Sequence, residues 1–240
     1  MSVERIHQMR PCPNFKLHEL PEAEREEAGA IRLNIDALHR RATSFWAGRL
    51  LYEDCAHRQV FDYANRGTYH QWQLCAARDC VMSIYHFGRI IEGIDESIGV
   101  CVSLRDLIDN DAKRAARKRF ERKFPFYISL RHAIAHSAER SKTASATKRH
   151  GKAKHRTIEV NPLISIGAGK GNVLLHDNLW GTTFTSMWDG NIVRCEIDEQ
   201  SGIWLDEITD AYWAAFDKFI DPNSEPLPTV TVSPHPPPRP

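Results

Sequence analysis

A mainly helical α+β fold, with a helical bundle first and a small antiparallel sheet and C-terminal helix after it, is predicted by three features of this chain. Apolar residues recur at intervals of three and four from about residue 31 to residue 134. From Leu163 the pattern changes to short apolar runs separated by glycine-bearing turns. Helical spacing then returns between Glu199 and Phe219. A chain of 240 residues can bury a sizeable core as one large domain or two small ones.

Residues 1–20 lack periodicity and are expected to form a flexible arm. Pro21, followed by Glu22, Glu24, Glu26 and Glu27, opens the bundle, with acids facing the positive end of a helix dipole. Ile31, Leu33, Ile35, Leu38, Phe45, Trp46, Leu50 and Leu51 continue as one or two amphipathic helices. Asn65-Arg66-Gly67-Thr68 breaks the pattern, with Thr68 as the expected N-cap of the next helix. That helix is the best marked, through Leu74, Arg78, Val81, Tyr85, Gly88, Ile91, Asp95 and Ile98. Ser103 is expected to cap a short helix, and Asp111 a basic one from Lys113 to Lys123. Pro125 breaks the chain near Phe124, and a further helix runs to about Glu139, closing a bundle over 21–140.

Residues 141–157 are polar and basic and read as a flexible loop. Strands are expected at Leu163–Ile166 and Asn172–His176 around Gly167-Ala168-Gly169-Lys170-Gly171, then on either side of Asp189-Gly190, a strong hairpin signal. The unit 158–220 thus holds hairpins and a closing helix packed on the bundle. Trp180, Trp188, Trp204 and Trp213 are expected to anchor the sheet to that helix. Residues 221–240 contain eight prolines and are expected to form a disordered or extended tail.

No apolar run is long enough for a membrane helix, and the first residues lack the apolar core of a secretory signal. Cys12, Cys55, Cys75, Cys80, Cys101 and Cys195 are scattered, which suits reduced thiols in a cytoplasmic protein. The net charge of +1 hides an asymmetry: Lys113–Arg156 carries 15 Lys and Arg against two acids, leaving −12 for the remainder. Such polarity suits an anionic partner, above all a phosphate backbone, with Lys113, Arg114, Arg117, Lys118 and Arg119 as contacts. The alternative is a solvated basic helix.

The richest stretch is Leu130-Arg131-His132-Ala133-Ile134-Ala135-His136, where three ionisable residues enter an apolar helix. His132 and His136 are four apart, about 40° around one face, with Arg131 flanking it. Imidazole serves as acid or base near neutral pH, and guanidinium holds phosphate bidentately. Together they suit RNA cleavage without a metal or other cofactor, in which one group assists attack by the 2′-hydroxyl and another protonates the leaving oxygen.

Leu-Arg-His-Ala-Ile-Ala-His behind a long amphipathic helix resembles the HEPN domain superfamily, whose signature is Arg-x4–6-His, often with Asn, Asp or His after the arginine. Arg131, His132 and His136 match those positions, and Ala77–Phe87 is similar to the preceding long helix. The resemblance spans roughly residues 25–140. It implies a metal-independent endoribonuclease of toxin–antitoxin, phage-defence or RNA-processing systems, acting on RNA as a homodimer and, as a bacterial toxin, paired with an antitoxin. It also implies catalytic roles for Arg131 and His136, support from His132, and a carboxylate such as Asp79 or Glu92 pairing with the arginine. Some toxin members carry a tyrosine two residues after the histidine, where this chain has Ala138. Other members are non-catalytic dimerisation or RNA- and nucleotide-binding modules.

Other readings compete. The three residues also fit a structural network paired with Asp79 or Glu92. A zinc site lacks the glutamate of His-Glu-x-x-His, since position 133 is alanine, and shows no third ligand. The glycine-rich 167–171 segment lacks the Ser or Thr that follows the lysine of a phosphate loop, and reads as a turn. His86 lies beside an apolar stripe and reads as a packing histidine.

Overall fold

The computed structural model describes residues 9–136, 145 and 177–220, together with the backbone of strands at 157–161 and 164–167. Its frame is a pair of long antiparallel helices, α1 (Arg25–Phe61) and α2 (Arg66–Val100). Ile31, Ile35, Leu38, Ala42 and Phe45 bury one face of α1, and Val81, Ile84, Phe87, Ile91, Ile94 and Ile98 answer from α2. Spacings of three and four keep these side chains on facing stripes, as the sequence predicts. α2 begins at Arg66 with Asn65 at its N-cap position, so Thr68 lies inside the helix.

A short helix α3 (Val102–Arg105) leads to α4 (Asn110–Lys123) and α5 (Tyr127–Ala135). The N-cap position of α3 is Cys101, while the Ser103 backbone N–H, inside the helix, donates to the Glu24 carboxylate at 3.1 Å. Asp109, two residues before the expected Asp111, caps α4 by accepting from the N–H groups of Asp111 and Ala112 at 3.0 and 2.9 Å. α4 stops at Phe124, before Pro125, because the residue preceding proline is driven out of helical backbone. α5 ends at Ala135 with His136 as its C-cap, and residues 137–139 of the expected helix lie outside the described residues.

The β region holds two separate antiparallel units. Strands β1 (Thr157–Asn161) and β2 (Ile164–Gly167) form one hairpin, so β1 takes residues assigned from sequence to the loop end and the start of the next unit. The expected strand at 172–176 lies outside the described residues. Strands β3 (Asn178–Trp180), β4 (Thr183–Trp188) and β5 (Asn191–Glu196) form a three-stranded sheet in that order. The β4–β5 turn is the expected Asp189-Gly190 pair, with φ of 47° and 74°, the left-handed backbone of a two-residue hairpin turn. Helix α6 (Glu199–Ala214) closes the bundle, capped by Asp198, which accepts from the Ser201 N–H at 2.8 Å.

α6 lies against α1 and α4. The Trp213 indole donates to the Ile35 carbonyl at 3.0 Å, and the Trp46 indole to Asp206 at 2.8 Å. The arm is held down from Met9 onward: Met9 and Phe15 are buried, Phe15 meets Phe219 edge-on at 4.7 Å, and Arg10 pairs with Asp210 and Asp217. These contacts come from the far end of the chain, which is why local periodicity gives no sign of them. Among the described residues no helix is long and apolar enough to cross a membrane.

Candidate functional site

α5 carries the site because one of its faces is consumed by packing. Leu130 and Ala133 are buried, while Arg131, His132 and His136 remain half-buried. Its seat on α2 depends on Gly88: a Cβ there would lie 2.5 Å from the Tyr127 ring and 2.8 Å from Phe120. Only a residue without a side chain lets α5 and α4 approach so closely at this level.

The Arg131 guanidinium lies 5.8 Å from the centre of the Tyr85 ring on α2, a cation–π arrangement. Its Nη1 is 3.4 Å from His132 Nδ1. The His132 and His136 rings stack 6.0 Å apart with planes 19° apart. Trp188, at the tip of the β4–β5 hairpin, completes an aromatic shelf, 5.3 Å from His132 and 5.7 Å from His136. Desolvation, followed by the charges of Arg131 and His136, lowers the His132 pKa from its ordinary value and favours the neutral imidazole. A neutral ring keeps one nitrogen as a proton acceptor.

The site therefore uses the sheet, a part of the chain with no assigned role in the sequence. Trp188 packs on the motif helix. Its strand is tied to α2 through Asp177, whose side chain is only 2% exposed and accepts from Arg78 at 2.7 Å and from Ser186 at 2.9 Å. Ser186 and Trp188 are two apart on one strand face, so this anchor helps fix the indole. Of the other tryptophans, Trp204 meets Phe124 and Lys123, Trp213 anchors α6 to α1, and Trp180 is 41% exposed. The nearest sequence signal for the shelf is the aromatic residue directly before Asp189-Gly190.

Neither candidate carboxylate reaches the arginine. Glu92 accepts from the Tyr127 hydroxyl at 2.6 Å and pairs with Arg89. Asp79 is exposed on α2 beside Gly48 of α1. Among the described residues, Arg131 has Tyr85 and His132 as its contacts and forms no ion pair.

The basic helix is largely neutralised. Lys113 and Arg117 both pair with Asp95 at 2.7 Å, and Arg117 also with Glu121 at 2.9 Å. Arg114 pairs with Asp111 at 3.0 Å, and Arg119 with Glu207 of α6. Lys118 is exposed and makes no ion pair among the described residues. The run thus knits α4 to α2 and α6, leaving Lys118 as the one of these five without an ion pair among the described residues.

Among the described residues, no three His, Cys, Asp or Glu side chains come together as a metal-ligand group. A cavity of about 160 Å³ lined by Phe124, Phe126, Tyr127, Leu130 and Trp204 does not include Arg131, His132 or His136. Comparison with protein-family models, curated proteins and solved structures gives no match.

Proposed function

We propose that the Arg131–His132–His136 surface binds RNA phosphate and cleaves the adjacent bond without a metal, as a HEPN-like endoribonuclease. The observation that carries this reading is the half-exposed guanidinium of Arg131, with no carboxylate beside it among the described residues and two imidazoles along the same helix. Arg131 would hold a non-bridging phosphate oxygen and stabilise the charge that develops during attack. His132, kept toward its neutral form, would take the 2′-hydroxyl proton, and His136 would return a proton to the leaving 5′-oxygen. That gives His132 a direct role where the family resemblance implies support. A toxin–antitoxin or phage-defence setting, with a homodimer joining two motifs, follows from the resemblance alone.

The packing of both imidazoles beside Trp188, with His132 stacked on the indole and His136 tilted against it, supports a second reading, a non-catalytic RNA- or nucleotide-binding module. Stacked rings are good platforms for bases and less free to move protons. RNA incubated with the full chain in EDTA separates the two: cleavage that depends on Arg131 and His136 supports the nuclease, and salt-sensitive binding without turnover supports the module.

A further inference from the structure

We propose that Arg41, His86 and Arg131, brought together from α1, α2 and α5, form a subsite for a second RNA phosphate beside the one held at the motif; this rests on the RNA reading above. The helix register places the first two. Gly48 of α1 faces Ala76 and Cys80, and the side-chain amide of Asn34 lies 3.3 Å from where a Cβ on Gly93 would stand. Arg41 is seven residues from both Asn34 and Gly48, and His86 is seven from Gly93 and six from Cys80. In an antiparallel pair this sets Arg41 level with His86, and both are exposed. The His86 ring lies 5.2 Å from Tyr85, the residue whose ring carries the Arg131 guanidinium. Two guanidinium groups flanking one imidazole therefore cross three helices and run into the motif.

Charge balance distinguishes the two arginines from their neighbours. Arg40 pairs with Asp36 at 2.5 Å, and Arg89 pairs with Glu92. Arg41 and Arg131 form no ion pair among the described residues. After desolvation, both of their charges lower the His86 pKa, so two uncompensated guanidinium groups act on one imidazole. A phosphate would relieve that repulsion and accept hydrogen bonds from the guanidinium groups.

The test uses the full chain with Arg41→Gln and His86→Gln, both at exposed positions, with folding checked by circular dichroism. A labelled single-stranded RNA is titrated in EDTA at several salt concentrations. In parallel, inorganic pyrophosphate is titrated against the His86 ring resonances. Arg41→Gln is expected to weaken RNA binding about fivefold and make the log K against log salt slope shallower by about one. Unchanged affinity and slope in both variants would remove the subsite and leave the RNA reading standing. If the unsubstituted chain neither binds nor cuts RNA, the RNA reading falls and pyrophosphate decides. A His86 shift lost in Arg41→Gln supports the anion subsite, and no shift overturns it.

Discussion

The Trp188 indole and the His132 imidazole lie face to face, 5.3 Å apart with planes 20° apart, joining the β4–β5 hairpin to the motif helix. Trp188→Ala removes part of the cover that desolvates His132. Its imidazole is therefore expected to titrate closer to the ordinary histidine value, with stability reduced by about 1–3 kcal/mol because the indole is half-buried. Histidine-resolved NMR titration and urea unfolding measure both. An unmoved His132 titration would show that Trp188 does not set its environment.

Stability should fall on mild acidification. The pKa values of His39, His86 and His132 are lowered in the folded chain, each with desolvation as the first cause. The unfolded chain then binds more protons as pH drops through about 6.5, so stability is present above that value and declines below it. Thermal unfolding between pH 7.5 and 5.5 should show Tm falling with pH. A flat or rising profile would mean that other groups outweigh these three.

Gly88→Ala should cost about 1–3 kcal/mol, because the new methyl would meet the Tyr127 and Phe120 rings at 2.5 and 2.8 Å. Displacement of α5 would also move Arg131 away from Tyr85 and lower any RNA-directed activity. Urea unfolding checks the first effect, and activity under conditions where the variant is folded checks the second.

Asp95→Ala removes the shared partner of Lys113 and Arg117, which also accepts from the Tyr212 hydroxyl at 3.2 Å. A loss of about 1–3 kcal/mol is expected, because Lys113 is only 13% exposed and is left without its counter-charge. Chemical unfolding measures it, and a loss below about 0.5 kcal/mol would make the α2–α4 ion pairs dispensable.

The frame of the bundle was legible because burial of α1 and α2 follows their own periodicity, as the stripes from Ile31 to Phe45 and from Val81 to Ile98 show. The α4–α5 break at Phe124 and the Asp189-Gly190 turn were legible because each rests on local backbone chemistry. What stayed hidden depends on distant partners. The basic run looks unpaired along the sequence, but Asp95 and Glu207 reach it from other helices. Met9 and Phe15 have no periodic neighbours, yet both are buried, Phe15 against Phe216 and Phe219 just after α6. Arg131, His132 and His136 could be singled out by spacing on one helix, but their position beside Trp188 required the hairpin to fold back onto α5.

Metal-independent RNA cleavage is proposed to depend on Arg131 and His136. Its most direct measurement incubates single-stranded RNA with the full chain in EDTA, beside the Arg131→Ala/His136→Ala double variant, and analyses the fragment ends. Fragments bearing 2′,3′-cyclic phosphate are expected with the unsubstituted chain and none above background with the double variant. Intact RNA throughout, or equal cleavage by the folded double variant, would contradict it.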